Sequence, residues 1–485
     1  MNKSKARITK LLLLMLFIPW LGTHAELKLP SFFSDNMLLQ QQSNANIWGW
    51  ADAKALITLK TSWSNQTITT RADENGKWNI KLSTPAGSYT THTMNIRSGK
   101  DNIKLTNILI GDVWLCSGQS NMEMPMKGFK GQPIFGGNRE ILKSKNKNLR
   151  LLTIKRNAQL TPQDTTTGSW QEASPETVKE FSATGYYFGR LLSETIENIP
   201  IGLMCVSWGG SFIEAWMSEE MLQGFTEKPI PQAGDLIQVP NRTATALFNG
   251  MIHPIVGYNI KGCLWYQGET NYDCPDTYPA LFQTMVNAWR KLWGCGDFPF
   301  YYCQIAPFDY ASIAASPAQT GGKYNSAFIR EAQYKCQTMV PNTGMVVLLD
   351  VGEENCIHPM RKDIVGERLA MLALTKTYGM TGFGAESPSF QEMTVKDGVA
   401  ILSFTHAPMW LTAFGKELKL FEIAGEDRKF YPAKASINRS KVEVSAQEVK
   451  HPVAVRYAFK DFVTGDLFST EGLPVSSFRT DNWNE

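Results

Sequence analysis

The sequence predicts an α/β protein, with a parallel sheet covered by helices on both faces and a β region on either side. Three observations carry this reading. Between about residues 107 and 387, short and nearly continuous apolar runs alternate with helix-length segments, as strands buried on both faces require. Residues 26–106 and 388–485 hold only short β-type runs separated by turn residues. The chain has 485 residues, 43% hydrophobic and 19% charged, enough for two or three globular domains. Its 38 Gly and 24 Pro are ordinary usage, which argues against collagen and disordered scaffolds.

Residues 1–25 read as a secretory leader and are set aside from the fold. Lys3, Lys5, Arg7 and Lys10 precede an apolar stretch at 11–22, and Thr23-His24-Ala25 suits cleavage. The stretch is too short for a confident membrane-spanning helix. A secreted or periplasmic protein with no membrane insertion after cleavage is expected. Without the leader 44 basic and 45 acidic residues remain, so nothing in the charge favours nucleic acid or an anionic membrane.

Domain by domain, residues 26–106 are expected to form a small β-sandwich from strands near 46–50, 56–62, 67–72 and 77–83. Asn75-Gly76 is a hairpin signal. The core, 107–387, is expected to hold strands at 108–116, 201–207, 262–266, 300–305 and 344–350. Its helices are expected at 185–196, 278–293, 329–339 and 361–377. Residues 388–485 return to β periodicity at 400–405, 441–446 and 452–459, with an ordered tail from Glu471 to Trp483. Cys116, Cys205, Cys263 and Cys303 lie in apolar runs and read as core residues. Cys274 and Cys295, flanking a helix, are the best candidates for a disulfide.

In a parallel sheet, ligands bind beyond the carboxyl ends of the strands. Polar chemistry collects there four times. After the first strand comes Gly118-Gln119-Ser120-Asn121-Met122, after the second Trp208-Gly209-Gly210-Ser211, and after the third Gln267-Gly268-Glu269-Thr270-Asn271. After the last comes Asp350-Val351-Gly352 and then Ile357-His358-Pro359. A serine, glycines, amides and a histidine are the parts of a serine esterase. A serine hydroxyl needs a base, and of the histidines in the core only His358 follows a strand, so His358 is the expected base and His253 a structural histidine.

The oxyanion calls for preorganised N–H donors. The Ser120 N–H at a helix start, Gly209 or Gly210, and a side-chain amide from Gln267 or Asn271 are the candidates. The acid orienting His358 is to be drawn from Asp350, Glu353 and Glu354, and Asp350, ending a strand, is the most fixed. A Ser–His dyad aided by a backbone carbonyl is the alternative. Asp112 reads as a buried structural acid. Gly209, Glu269 and Trp265 are expected to contact substrate, and Trp208, Trp216 and Trp265 either stack on sugar rings or pack the core. No zinc motif, phosphate loop or dinucleotide fingerprint occurs, so no metal and no cofactor are expected.

These segments resemble a known family. Gly111-Asp112-Val113-Trp114-Leu115-Cys116-Ser117-Gly118-Gln119-Ser120-Asn121-Met122 is similar to the nucleophile segment of the sialate O-acetylesterase family of SGNH hydrolases. Trp208-Gly209-Gly210-Ser211 with Ile213-Glu214-Ala215-Trp216 is similar to its second block, and Trp265-Tyr266-Gln267-Gly268-Glu269-Thr270-Asn271 to its third. Asp350-Val351-Gly352, Ile357-His358-Pro359 and Lys362 resemble the histidine block. The resemblance implies an SGNH/flavodoxin-like three-layer α/β/α core. It also implies cofactor-free deacetylation of carbohydrates through an acetyl-serine intermediate. Ser120 is then the nucleophile and His358 the base, with oxyanion donors from Ser120, Gly210 and the third-block amide. SGNH enzymes usually place an Asp three residues before the histidine, where this chain has Asn355. The implied partner is an acetylated carbohydrate, either a sialic acid ester or a glycan such as xylan. The oligomeric state is left open. Two other readings remain at this level, a non-catalytic carbohydrate-binding protein on the same scaffold and a hydrolase of a non-sugar ester or amide.

Overall fold

The computed structural model describes residues 26–226, 229–313 and 325–483, and the expected leader at 1–25 lies outside them. The core strands are β1 (Asp101–Gly118), β2 (Asn146–Thr153), β3 (Ile201–Ser207), β4 (Gly262–Tyr266), β5 (Phe300–Cys303) and β6 (Thr343–Val346). They pair in parallel in the order β6-β5-β4-β1-β3-β2. The chain builds β2 and β3 on one side of β1, then crosses to build β4, β5 and β6 on the other. The winding therefore reverses at β1, and a crevice opens at its carboxyl end.

A single turn, α1 (Ser120–Glu123), follows β1 directly. Helices α2 (Ala183–Thr195) and α5 (Lys362–Lys376) cover one face, against Trp114, Cys116, Leu203, Leu264 and Tyr301. Helices α3 (Tyr278–Trp293) and α4 (Ser326–Met339) cover the other, against Leu115, Met204, Cys263, Trp265 and Tyr302. Neighbouring strand residues point to opposite layers, and both layers are apolar, which explains the unbroken hydrophobic runs. Helix α3 buries Leu281, Phe282, Met285, Val286, Trp289 and Trp293 at helical spacing and ends at Gly294 in the left-handed conformation.

The structure departs from the sequence reading in instructive places. β1 begins at Asp101, not at 108. Its first half pairs antiparallel with Ser88–Ser98 of the leading β region, and its second half enters the parallel sheet. β2 was not foreseen, because it opens on Asn146-Lys147-Asn148 and only its later residues are buried. The last strand stops at Val346, although the apolar run goes on through Leu349. Gly76 does make a tight turn, but its flanking strands do not pair. Thr67–Arg71 pairs with Leu56–Thr61, and Lys77–Ser83 with Asn44–Trp50, so the turn passes between sheets.

Cys274 and Cys295 form no disulfide with each other. They lie beyond opposite ends of the 16-residue α3, which rises roughly 24 Å. Disulfide geometry tolerates a Cα separation of only about 7 Å.

The closing β region is antiparallel and docks through side chains. Arg330 of α4 is fully buried and donates to the carbonyls of Lys460 and Asp461 and to Ser477 Oγ. Burial pushes its guanidinium down to about 10. Gln304 donates to Ser476, and Arg479 forms a two-pronged pair with Glu331. The tail from Glu471 is thus ordered against the core. Among the described residues no helix is long and apolar enough to cross a membrane.

Candidate active site

β1 ends at Gly118, with φ 133°, where a Cβ would lie 2.2 Å from the Tyr266 carbonyl oxygen. Glycine alone permits this turn, and it carries the chain into α1 with Ser120 at the first position. Gln119 fixes the turn to the loop after β4. Its N–H donates to Tyr266 O at 2.9 Å, and its Oε1 accepts from the N–H groups of Gly268 and Thr270. Asn121 ties three loops together. Its Nδ2 donates to Glu269 Oε1 at 2.6 Å and to Ile357 O at 3.0 Å, while its Oδ1 accepts from Lys362 Nζ at 2.6 Å.

A cavity of about 420 Å³ opens at this edge, and Ser120, Gly209, Gly210, Glu269 and His358 all line it. Among the described residues, neither the Ser120 N–H nor the Gly210 N–H has an acceptor. The Gly209 N–H donates to Glu123 Oε2 at 2.7 Å. A Cβ on Gly209 would lie 3.1 Å from that of Ser120, so glycine lets the second loop close onto the serine. Glu123, one turn beyond Ser120, also takes a two-pronged contact from Arg156, whose guanidinium covers the Trp208 ring.

His358 Nδ1 donates to Gln132 Oε1 at 2.7 Å, and the imidazole meets the Phe129 ring edge-on at 5.2 Å. Burial first and the Lys362 charge second push the imidazole down to about 4. At neutral pH the ring is therefore neutral, with Nε2 free to accept a proton.

The placement of Asp350 behind the imidazole is corrected. Its two oxygens accept from Arg368 Nη1 and Nη2, both at 2.7 Å. The fork of a guanidinium on the facing turn of α5 outcompetes a single imidazole N–H. Glu353 accepts the Met360 N–H instead, and Glu354 is exposed.

Gln267 and Asn271 lie behind the cavity rather than on it. Gln267 Nε2 donates to Ser211 O at 3.0 Å and to Asn271 Oδ1 at 2.6 Å, and Asn271 Nδ2 donates to Glu214 Oε2 at 3.1 Å. Both N–H bonds of the Gln267 amide are spent, so the pair braces the second loop against the third. Trp265 is fully buried, edge-on to Trp216 and Trp289, and is core rather than a sugar platform. The aromatic rings that do line the cavity include Phe129, Phe212 and Tyr272.

Glu269 lines the cavity with one oxygen bonded to Asn121 and the other buried without a hydrogen-bond partner. Burial raises its pKa, and burial lowers that of the enclosed Lys362 to about 8, with Glu269 pulling the amine back up. Asp112 is buried in the sheet, accepting from the amides of Gln40 and Gln41 and from the Tyr378 hydroxyl. His253 is bonded to Gln163 O and lines a different cavity. Among the described residues no group of His, Cys, Asp and Glu is arranged to hold a metal ion.

Sequence reasoning missed Glu123, Gln132, Arg156 and Arg242. Glu123 was within reach, since it lies three residues after Ser120 on the same helical face. The other three sit on irregular segments that carry no periodic signal.

The fold, with four polar loops meeting at the switch strand, defines an SGNH-like hydrolase. Residues 110–373 match the family described as carbohydrate esterase, sialic acid-specific acetylesterase. The chain is 28% identical over 467 residues to the sialate O-acetylesterase of Homo sapiens, covering 88% of this chain and 87% of that protein. It is 27% identical, with the same coverage, to that of Pongo abelii. Its structure is similar to the crystal structure of a carbohydrate acetylesterase from Xanthomonas citri, with a TM-score of 0.84 and 32% identity over 94% of this chain and 100% of that one. The chain belongs to the sialic acid-specific acetylesterase family and is a carbohydrate O-acetylesterase.

Proposed function

We propose that the protein removes O-acetyl groups by a serine mechanism, with Ser120 as nucleophile and His358 as base. The observation that carries this is the cavity they share, in which His358 is neutral and its Nδ1 is already occupied. Ser120 Oγ attacks the acetyl carbonyl while His358 Nε2 takes its proton. The oxyanion faces the N–H groups of Ser120 and Gly210, which have no acceptor among the described residues and so suit that work. The tetrahedral intermediate then collapses. The bond to the sugar oxygen breaks, the imidazolium protonates that oxygen, and acetyl-serine remains. Water, deprotonated by His358, attacks the acetyl carbonyl, and acetate leaves as Ser120 recovers its proton.

Acetate release from 4-nitrophenyl acetate tests the mechanism. Ser120→Ala and His358→Ala are each expected to lower kcat by about 10³-fold or more. Undiminished turnover in Ser120→Ala would remove Ser120 as nucleophile.

For the sugar, the reading is an acetylated acidic sugar such as a sialic acid. Arg242 supports it. This side chain lines the cavity, covers the Phe212 ring at 5.5 Å and has no acidic partner among the described residues. A guanidinium so placed suits a substrate carboxylate. A panel of acetylated sialic acids and acetylated xylan fragments decides, and faster release from xylan would overturn the acidic-sugar reading. The basic start and apolar stretch before residue 25 support action outside the cytoplasm.

A further inference from the structure

We propose that Gln132 is the positioning residue of His358, its amide oxygen standing where a serine triad places a carboxylate. The inference rests on the reading of His358 as base and adds what holds that base in place.

The contact is specific in direction. Gln132 Oε1 can only accept, so at 2.7 Å it requires the hydrogen of the neutral imidazole to sit on Nδ1. That tautomer leaves the Nε2 lone pair for the Ser120 proton. The backbone that carries this side chain is held by a tight turn. The Gln132 N–H donates to Phe129 O at 3.0 Å, and a Cβ on Gly128 would lie 2.4 Å from Gln132 O. Phe129, on the same turn, packs edge-on against the imidazole. One short segment therefore supplies both the hydrogen bond and the wall that orient the ring.

The neighbouring acids are committed elsewhere. Asp350 is taken by Arg368, Glu353 by the Met360 N–H and Asp363 by Arg361. Glu269 accepts from Asn121 with one oxygen and, among the described residues, makes no hydrogen bond, to the imidazole or any other group, with the second, and the residue three before His358 is the exposed, uncharged Asn355. Cys356 Sγ faces the His358 carbonyl rather than its ring. The charged group that bears on the imidazole is Lys362, of like sign to an imidazolium. A neutral oxygen gives the ring orientation without the charge that would raise its basicity. The outcome is a base that is correctly aimed and stays unprotonated in mildly acidic solution.

The test uses the full chain with Gln132→Glu and Gln132→Met. In a Ser120→Ala background, nitrogen NMR of the His358 ring reads tautomer and titration midpoint without any turnover. The parent is expected to show the Nδ1–H form. Gln132→Glu is expected to raise the midpoint by about one unit or more, because a carboxylate then faces the imidazolium. With Ser120 intact, the acid limb of kcat/KM for 4-nitrophenyl acetate should move up with it. Gln132→Met is expected to mix the tautomers and to lower kcat about tenfold with KM nearly unchanged. An unmoved midpoint in Gln132→Glu, or an unmixed Nδ1–H tautomer in Gln132→Met, overturns the proposal. Both variants change a half-exposed side chain, and a thermal midpoint like the parent's confirms that folding is not what is read. Activity retained in Ser120→Ala would bring down the serine mechanism alone, since the NMR result on Gln132 does not depend on it.

Discussion

The loops after β1 and after β6 hold their polar side chains by different means. Ser120 sits at the end of the central strand, where Gly118, Gln119 and Asn121 bind it to two further loops through buried contacts. His358 sits in an irregular segment, and its ring is aimed by a half-exposed amide 226 positions away in sequence. The first placement follows from sheet topology, because the crevice opens where the switch strand ends. The second follows from the side chains of one short segment, Gln132 and Phe129. Position is thus inherited from the fold on one side of the cavity and assembled locally on the other.

This contrast can be broken or sharpened by experiment. The largest effect is expected from Asp350→Ala, which leaves Arg368 buried without its partner. A loss of about 3–5 kcal/mol in chemical denaturation is expected, as for other broken buried pairs. The acid limb of kcat/KM should stay where it is in the parent. A shift of that limb would mean that Asp350 acts on the imidazole after all.

The next effect is on pH dependence. His358 has a folded value of about 4 against 6.5 in the unfolded chain. The unfolded chain therefore binds the proton first, and this group's contribution to stability is lost as pH falls from about 6.5 through 4. Activity should follow the folded value, with kcat/KM half-maximal near pH 4 rather than near 6.5. A rate profile with its acid limb near 6.5 would contradict the neutral, buried imidazole.

The smallest effect concerns the rim. Arg242→Met is expected to raise KM for an acetylated sialic acid about tenfold, a loss typical of one charge-assisted contact, and to leave 4-nitrophenyl acetate untouched. Equal changes for both esters would point to a damaged cavity instead of lost carboxylate recognition.

The same contrast governs what could be read from sequence. β3 and β4 were legible to the residue, because both are buried on two faces and bounded by breaks. The full extent of β1 was not legible. Its outer half alternates polar and apolar residues while its inner half is uniformly buried, and Asn107 at the change, with φ 54°, reads as a break in sequence but only shifts the register of a continuous strand. At the site, Ser120, Gly209, Gly210, Glu269 and His358 could be assigned to one edge from strand order alone, and the cavity gathers them. Gln267, Asn271 and Trp265 share that edge in sequence but point inward. Which way a loop side chain turns depends on neighbours such as Ser211, Glu214 and Tyr278, which sequence spacing does not disclose. The Asp350–Arg368 pairing was hidden for the same reason, since eighteen residues and a loop separate the partners.

The length of β1 has a consequence for how the chain may be shortened. Leu38–Gln40 runs parallel to residues 109–111, and the Gln40 side chain donates to Asp112 while accepting the Val113 N–H. A truncation starting at residue 107 would begin mid-ladder and strip the strand that delivers the serine of both its outer neighbours. The smallest fragment able to present that hydroxyl must start ahead of Leu38. The leading β region thus behaves as a fixed mount for the reactive edge rather than a detachable appendage.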